Sequence, residues 1–279
     1  MKSNLQEKLL HQSSCQIFTF VGMSGCGKTT LSQKLASEGF FHYSVDYEIA
    51  HTYLREKIRK SVIEKIKFQS PYFKNLYEKF AVKLELSLTF DDLEVITMFV
   101  IPTNENGQIP FRKFVEHQNI YKQAELLATK ECFSKAKIAF ENYGISGFIN
   151  DSTGSICEVA LENDELIELL KTQTKVVYLQ TNEEHREVLI SRSKEKVKPI
   201  LYNYKFLMEN LEIYYKKKEF HDDFEIDQEF FFWIFPRLLE LRKQNYEELV
   251  QKTNGITIDA SAFWNIKNVQ DFTNLIHAK

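Results

Sequence analysis

The chain has 279 residues, 43% hydrophobic and 27% charged, with a net charge of −3. That length suits one large domain, or a core carrying a sizeable insertion. The near-neutral balance excludes the strongly basic surface of a general nucleic-acid binder, and no apolar run approaches the roughly 20 residues of a membrane-spanning helix. The N-terminus lacks the apolar stretch of a secretory signal, and the four cysteines have no metal-ligand spacing. Reduced thiols in a soluble cytoplasmic protein are therefore expected. With 23 Phe and 13 Tyr against 9 Gly and 5 Pro, the fold should be helix-rich, with bulky aromatic packing.

Residues 1–14 are polar and read as a loose arm or short helix. Gln16-Ile-Phe-Thr-Phe-Val21 is a short β-rich apolar run, and a helix is expected from Lys28 to about Glu38. Between them lies Gly22-Met23-Ser24-Gly25-Cys26-Gly27-Lys28-Thr29-Thr30, which satisfies G-x-x-x-x-G-K-[ST] in full and in its required strand–turn–helix context. Glycines let the backbone approach phosphates, and the helix N-terminus directs N–H groups at the anion. This is a Walker A phosphate loop. Lys28 is expected to reach the β/γ-phosphates of a nucleotide and Thr29 to ligate Mg²⁺. Cys26 within the loop reads as a passive small residue.

Phe40–Val45 reads as a second strand ending at Asp46. Residues 47 to about 85 have helical spacing, and Leu86–Phe90 and Glu94–Ile101 are expected to be short strands before a turn at Asn104–Gly107. His117–Asn142 is helical again. Ile145–Asn150 reads as a buried strand running into Asp151-Ser-Thr-Gly154, and Lys175–Gln180 as another. A basic segment at Glu184–Leu201, helices at about 203–218 and 228–252 with Pro236 starting or kinking a helix in the second, a strand at Gly255–Asp259 and a helix at 268–277 complete the chain. Alternating strands and helices imply a parallel sheet covered on both faces.

In such sheets functional groups collect beyond the carboxyl ends of the strands. Asp46 is placed to orient or deprotonate an acceptor hydroxyl, or else to cap the helix that follows. Asp151 is placed like a Walker B acid that holds Mg²⁺, with an Asx-turn as its structural alternative. Arg192 and Lys198, after the strand 175–180, are candidates for cations that close over the γ-phosphate; the same stretch also fits a solvated basic helix end. Arg55 and Arg59 share a helix face and would suit an acidic substrate or simple solvation. The aromatic block around Trp233 reads as core or interface.

At these residues the chain resembles the shikimate kinase-like branch of P-loop kinases. Gly22-x-x-Gly25-x-Gly27-Lys28-Thr29-Thr30 is similar to that group's loop, and Asp46-Tyr-Glu-Ile49 to the second Asp of its D-[ST]-D-x-x-I segment. Lys198-Pro-Ile-Leu201 is similar to its lid R-P-L-L, with Arg192 where the group places an adenine-stacking Arg. Ser44 stands in place of the first Asp, Lys198 in place of the lid Arg, and Asp151-Ser-Thr-Gly154 in place of a glycine-rich substrate loop. The chain also resembles a bacterial group of P-loop proteins labelled only as ATPases, through Phe41–Tyr47 and Trp233–Arg237.

The resemblance implies an α/β P-loop NTPase. A nucleotide-binding core at 15–46 and 143–279, with a lid at about 184–201, would carry a long, mostly helical insertion at 47–142 as the acceptor region. It implies an ATP- and Mg²⁺-dependent kinase acting on a small-molecule hydroxyl. A regulatory or switch ATPase is the alternative, and a nucleic-acid-directed enzyme would need a basic groove leading to Asp46.

Overall fold

The computed structural model describes residues 16–89, 93–104, 106–195 and 200–278. Lys198, and with it the sequence-predicted lid cation, lies outside them.

In chain order the elements are β1 (Gln16–Val21), α1 (Lys28–Ala36), β2 (Phe40–Ser44), α2 (Val45–Glu48), a π-helical turn (Ile49–Tyr53), α3 (Arg55–Gln69), α4 (Pro71–Glu78), α5 (Glu94–Val100), β3 (Ile109–Pro110) and α6 (Phe111–Tyr143). There follow β4 (Gly147–Asp151), α7 (Ile156–Leu161), α8 (Asp164–Gln173), β5 (Lys175–Gln180), α9 (Glu183–Glu195), α10 (Tyr204–Tyr215), β6 (Glu225–Ile226), α11 (Gln228–Thr253), β7 (Ile256–Asp259), a 3₁₀ turn (Ala260–Asn265) and α12 (Val269–His277). Five strands form one parallel sheet in the order β2-β4-β1-β5-β7; β3 and β6 pair separately as an antiparallel ribbon.

Strand side chains alternate between the two faces of this sheet. Phe18, Phe20, Ile149, Val177 and Leu179 pack with Leu31 and Leu35 of α1 and Phe272 of α12. Val21, Phe148, Val176 and Tyr178 face the other way, into a larger cluster with α6, α7, α8 and α11. Both faces are covered, as a parallel sheet requires.

The segment 47–142 joins that larger core. Ile49, Leu54, Ile58, Ile96 and Phe99 share one cluster with the sheet. α6 runs for 33 residues and stops at Gly144, whose φ of 60° is the left-handed geometry of a helix end. Along its buried stripe Ala124, Ala128, Ala136 and Ala139 let the helix approach its neighbours closely.

The structure corrects two expected strands. Glu94–Val100 is helical, and the described part of the other, Leu86–Thr89, forms no strand. Ile96, Phe99 and Val100 are buried at helical spacing between α3 and α6, so tertiary packing overrides the β-branched and aromatic composition. The second strand ends at Ser44, one residue before the predicted end, and Asp46 lies in the first turn of a helix. α11 continues through Pro236.

Candidate active site

β1 ends at Val21 in the middle of the sheet, and the loop after it turns sharply into α1. Gly22, Gly25 and Gly27 have φ of 146°, 90° and 101°, a region that side-chain-bearing residues avoid. A Cβ at Gly22 would lie 2.8 Å from the Leu179 carbonyl oxygen. No side chain caps the N-terminus of α1, so its first N–H groups are left for an anion. Lys28 is 6% exposed, and its Nζ donates to the carbonyls of Gly22 at 2.7 Å and Met23 at 3.2 Å. An ammonium has three donors, so one remains for a phosphate. Thr29 and Thr30 are exposed at the helix start. Cys26 is buried, and burial pushes its thiol up against the pull of Lys28, which fits a passive residue better than a nucleophile.

Asp46 lies beside this loop. Ser44, not Asp46, caps α2, accepting the Tyr47 N–H at 3.3 Å. The capping alternative for Asp46 is thus taken by its neighbour. Burial raises the Asp46 carboxyl, nearby Lys28 pulls it back, and Asp151 adds repulsion. The Tyr121 hydroxyl from α6 donates to its Oδ1 at 3.2 Å. Lys28, Asp46 and Asp151 therefore share one electrostatic neighbourhood at the carboxyl edge of the sheet.

Asp151 is the last residue of β4, level with Phe20 of β1 and Ser44 of β2. It is 3% exposed, and its Oδ2 lies 3.0 Å from His42 Nε2. The following Ser152-Thr153-Gly154-Ser155 is held by other elements. The Ser152 hydroxyl donates to the Phe20 carbonyl at 2.6 Å, and the Tyr246 hydroxyl to the Gly154 carbonyl at 2.7 Å. Gly154 passes so close to the phosphate loop that a Cβ there would meet Ser24 N at 2.9 Å.

Sequence reasoning missed three members of this neighbourhood. His42 read as an ordinary strand residue. Glu125, in the middle of α6, is fully buried and accepts the Thr153 hydroxyl and, at 2.6 Å, the Ser155 hydroxyl. Burial raises its carboxyl to about 8 despite these two donors. Arg242 of α11 makes a buried two-bond pair with Glu158 at 3.0 and 2.9 Å, and donates to the Leu201 carbonyl at 2.7 Å. The only sequence signal was helical phase, which places Glu125 four residues from Tyr121.

Glu125 makes stability depend on pH. A carboxyl raised from 4.5 to about 8 contributes stability in its protonated form that is complete below its unfolded value and is lost as pH rises through about 8. Wild type should therefore weaken relative to Glu125→Gln between about pH 5 and pH 9, by on the order of a few kcal/mol. Urea midpoints across that range would measure it, and parallel curves for the two chains would refute it.

The basic segment resolves into different roles. Arg192 is exposed on α9, next to the span that contains Lys198. Arg186 pairs with Glu240 of α11 at 2.8 Å and so ties the two helices together. Beyond the span, Gln118 of α6 clamps Ile200–Tyr202 by donating to the Ile200 carbonyl at 3.0 Å and accepting the Tyr202 N–H at 2.8 Å. Arg59 is held by Glu56, and Arg55 donates to the Leu86 carbonyl at 3.2 Å. The aromatic block packs as core: Phe230, Phe231, Ile234 and Phe235 are buried, and Trp233 lies beneath Arg237. No group of acidic, histidine or cysteine side chains suited to a metal cluster occurs among the described residues.

A phosphate loop after the central strand, an acid ending the neighbouring β4, and the strand order β2-β4-β1-β5-β7 together define the architecture. The fold is that of a P-loop NTPase. The sequence profile of the NB-ARC domain, a P-loop NTPase family, matches residues 1–88. No curated protein matches the chain. Among solved structures it is similar to shikimate kinase from Acinetobacter baumannii in complex with shikimate, at 16% identity and a TM-score of 0.45, covering 97% of each chain. It is also similar to shikimate kinase from Bacteroides thetaiotaomicron, at 10% identity and a TM-score of 0.36, covering 88% of this chain and 86% of that one. Among the described residues no helix is long and apolar enough to cross a membrane.

Proposed function

We propose that this protein is a Mg²⁺-dependent kinase that transfers the γ-phosphoryl group of ATP to a hydroxyl of a small molecule. One observation carries the reading: Asp46, a partly buried carboxylate outside the phosphate loop, stands within electrostatic reach of both Lys28 and Asp151. This second acid, desolvated and held by Tyr121, suits a group that orients an acceptor hydroxyl and takes its proton.

The residues fit the nucleotide and its metal. The backbone of Gly22 through Gly27 and the open start of α1 would cradle the phosphates, with Thr30 beside them. Lys28 would neutralise the β/γ-oxygens. Thr29 and Asp151 would hold Mg²⁺, which when bound supplies charge neutralisation at the transferring group. Asp46 would orient the acceptor hydroxyl and take its proton. Arg192 and Lys198 would close over the site and exclude water. In this reading 15–46 and 143–279 form the nucleotide core, and 47–142, through Tyr121 and α2, builds the acceptor side. The free thiols of Cys26, Cys132 and Cys157 are consistent with the cytoplasm, where ATP is available.

A second reading, a regulatory ATPase without a small-molecule acceptor, rests on α4. No residue of that helix is buried, Tyr72 is 74% exposed, and Phe80 just beyond it is 95% exposed. A metabolite library screened for compounds that stimulate ADP release decides between the two. Stimulation by a hydroxyl compound, with a phosphorylated product, supports the kinase; steady hydrolysis indifferent to every compound overturns it. The nucleotide itself is tested by Lys28→Ala. Losing the charge-assisted contacts should weaken ATP·Mg²⁺ binding by roughly ten- to a hundredfold, read by calorimetry, and unaltered affinity would remove Lys28 from the site.

A further inference from the structure

A cavity of about 560 Å³ opens between α3, α5 and the first turns of α6. No residue of the phosphate loop, nor Asp46 or Asp151, lines it. Its size falls in the range of sites for small organic ligands.

The lining is unbalanced in charge. Lys57, Lys60, Lys65 and Lys113 stand against Glu64 and Glu116, and Glu64 is engaged by Lys67 at 3.1 Å. Among the described residues no ion pair engages Lys57, Lys60 or Lys113, while Lys65 Nζ donates to the Thr103 hydroxyl at 3.1 Å. Lysines are strongly hydrated, and like charges drawn to one concavity repel, so such a cluster is stabilised by an anion. At the inner wall the His117 ring stacks on Phe99 at 4.2 Å and is hydrogen-bonded to the Phe99 carbonyl. Burial disfavours its protonation, the Phe99 carbonyl opposes this, and Lys113 and Lys57 act with burial against Glu116. Phe68, 59% exposed, and Met98 add apolar surface to the same opening. The site thus offers cations around the apolar surface of Phe68 and Met98, with the Phe99–His117 stack buried at its floor.

We propose that this cavity is a second binding site, separate from the nucleotide, for a small organic anion with an apolar body and carboxylate or phosphate substituents. The site is connected to the nucleotide neighbourhood by a polar stripe on α6. His117, Tyr121 and Glu125 follow one another at four-residue spacing, about 6 Å per step. They touch in turn the cavity wall at Phe99, Asp46, and the Thr153–Ser155 loop. An occupant packed against this floor therefore bears on α6, the helix whose Tyr121 reaches Asp46.

Benzene-1,3,5-tricarboxylate and phenyl phosphate, titrated calorimetrically into the full chain saturated with ADP, test this with the phosphate loop filled. At least one probe should bind in the millimolar range or better, lose affinity as salt is raised, and weaken roughly tenfold or more in the doubly charge-reversed Lys60→Glu/Lys113→Glu chain. Which probe binds separates carboxylate from phosphate recognition. Absence of binding by both probes, or equal binding by the charge-reversed chain, overturns the proposal. The substituted lysines are exposed, and unchanged circular dichroism together with a Lys60→Gln/Lys113→Gln chain keeps a folding defect apart from a binding defect. ADP affinity is measured on the same samples. Its absence would sink the nucleotide reading alone, because the probes can be titrated equally into the Lys28→Ala chain.

Discussion

Asp46→Asn should lower acceptor-dependent turnover by about 10²–10⁴-fold, the usual contribution of a positioned general base. ATP affinity should change little, because Asp46 is not part of the phosphate loop. The substitution is nearly isosteric, and Oδ1 of asparagine can still accept the Tyr121 hydroxyl that now reaches Asp46 at 3.2 Å. Structure should therefore survive, and removing a charge that burial opposes would not weaken the fold. The pH profile gives a second readout. Burial raises the Asp46 carboxyl, so kcat/KM should fall on acidification at a higher pH than an ordinary carboxylate would produce, and the asparagine chain should lose that limb. Phosphorylated product measured against pH checks both. Equal acceptor-stimulated ADP release by the two chains would remove Asp46 from the chemistry.

Glu158→Ala should destabilise the protein by about 3–5 kcal/mol, the usual consequence of stripping one partner from a buried ion pair. The two side chains are 1% and 2% exposed and bond through both oxygens of the carboxylate. Burial alone favours loss of the Arg242 proton, and Glu158 outweighs it. With Glu158 gone, a guanidinium would remain in the core with only the Leu201 carbonyl at 2.7 Å and the weak Met23 sulfur contact at 4.0 Å. Those two contacts also join α11 to the residue after Gly22 and to the segment that follows the Lys198 span. The variant should thus loosen the loop as well as the fold. Urea unfolding measures the first effect and ATP affinity the second. Replacing both residues by apolar ones of similar volume should recover much of the stability, since a buried pair is costly to break and not costly to exchange. A loss below about 1 kcal/mol in Glu158→Ala would show that Arg242 finds another partner.

Much of the nucleotide core was legible because its signals are local. A β-rich run, a glycine turn and a helix occupy Gln16–Ala36 as read, and the loop glycines adopt the positive φ that their spacing requires. Lys175–Gln180 and Val269–His277 also fall where the pattern puts them, within one residue. Glu94–Val100 was misread because its six consecutive apolar and β-branched residues after Glu94 have no period that separates a strand from a buried helix. Glu125 was missed because an acid inside a long helix normally faces water. Nothing nearby in sequence reveals that Thr153 and Ser155 will meet it.

The sequence by itself determined the phosphate loop, the alternation of strands and helices that makes a parallel sheet, and the acids at 46 and 151 near strand ends, because each rests on backbone geometry within a few residues. Only the tertiary structure decided that Ser44 takes the cap and leaves Asp46 beside Lys28. It also decided that His42 and Glu125 join the site, that Arg242 is buried against Glu158, and that lysines of α3 and α6 surround one cavity. These outcomes depend on which distant side chains share a desolvated space, and burial and charge there are set by packing that no local pattern encodes.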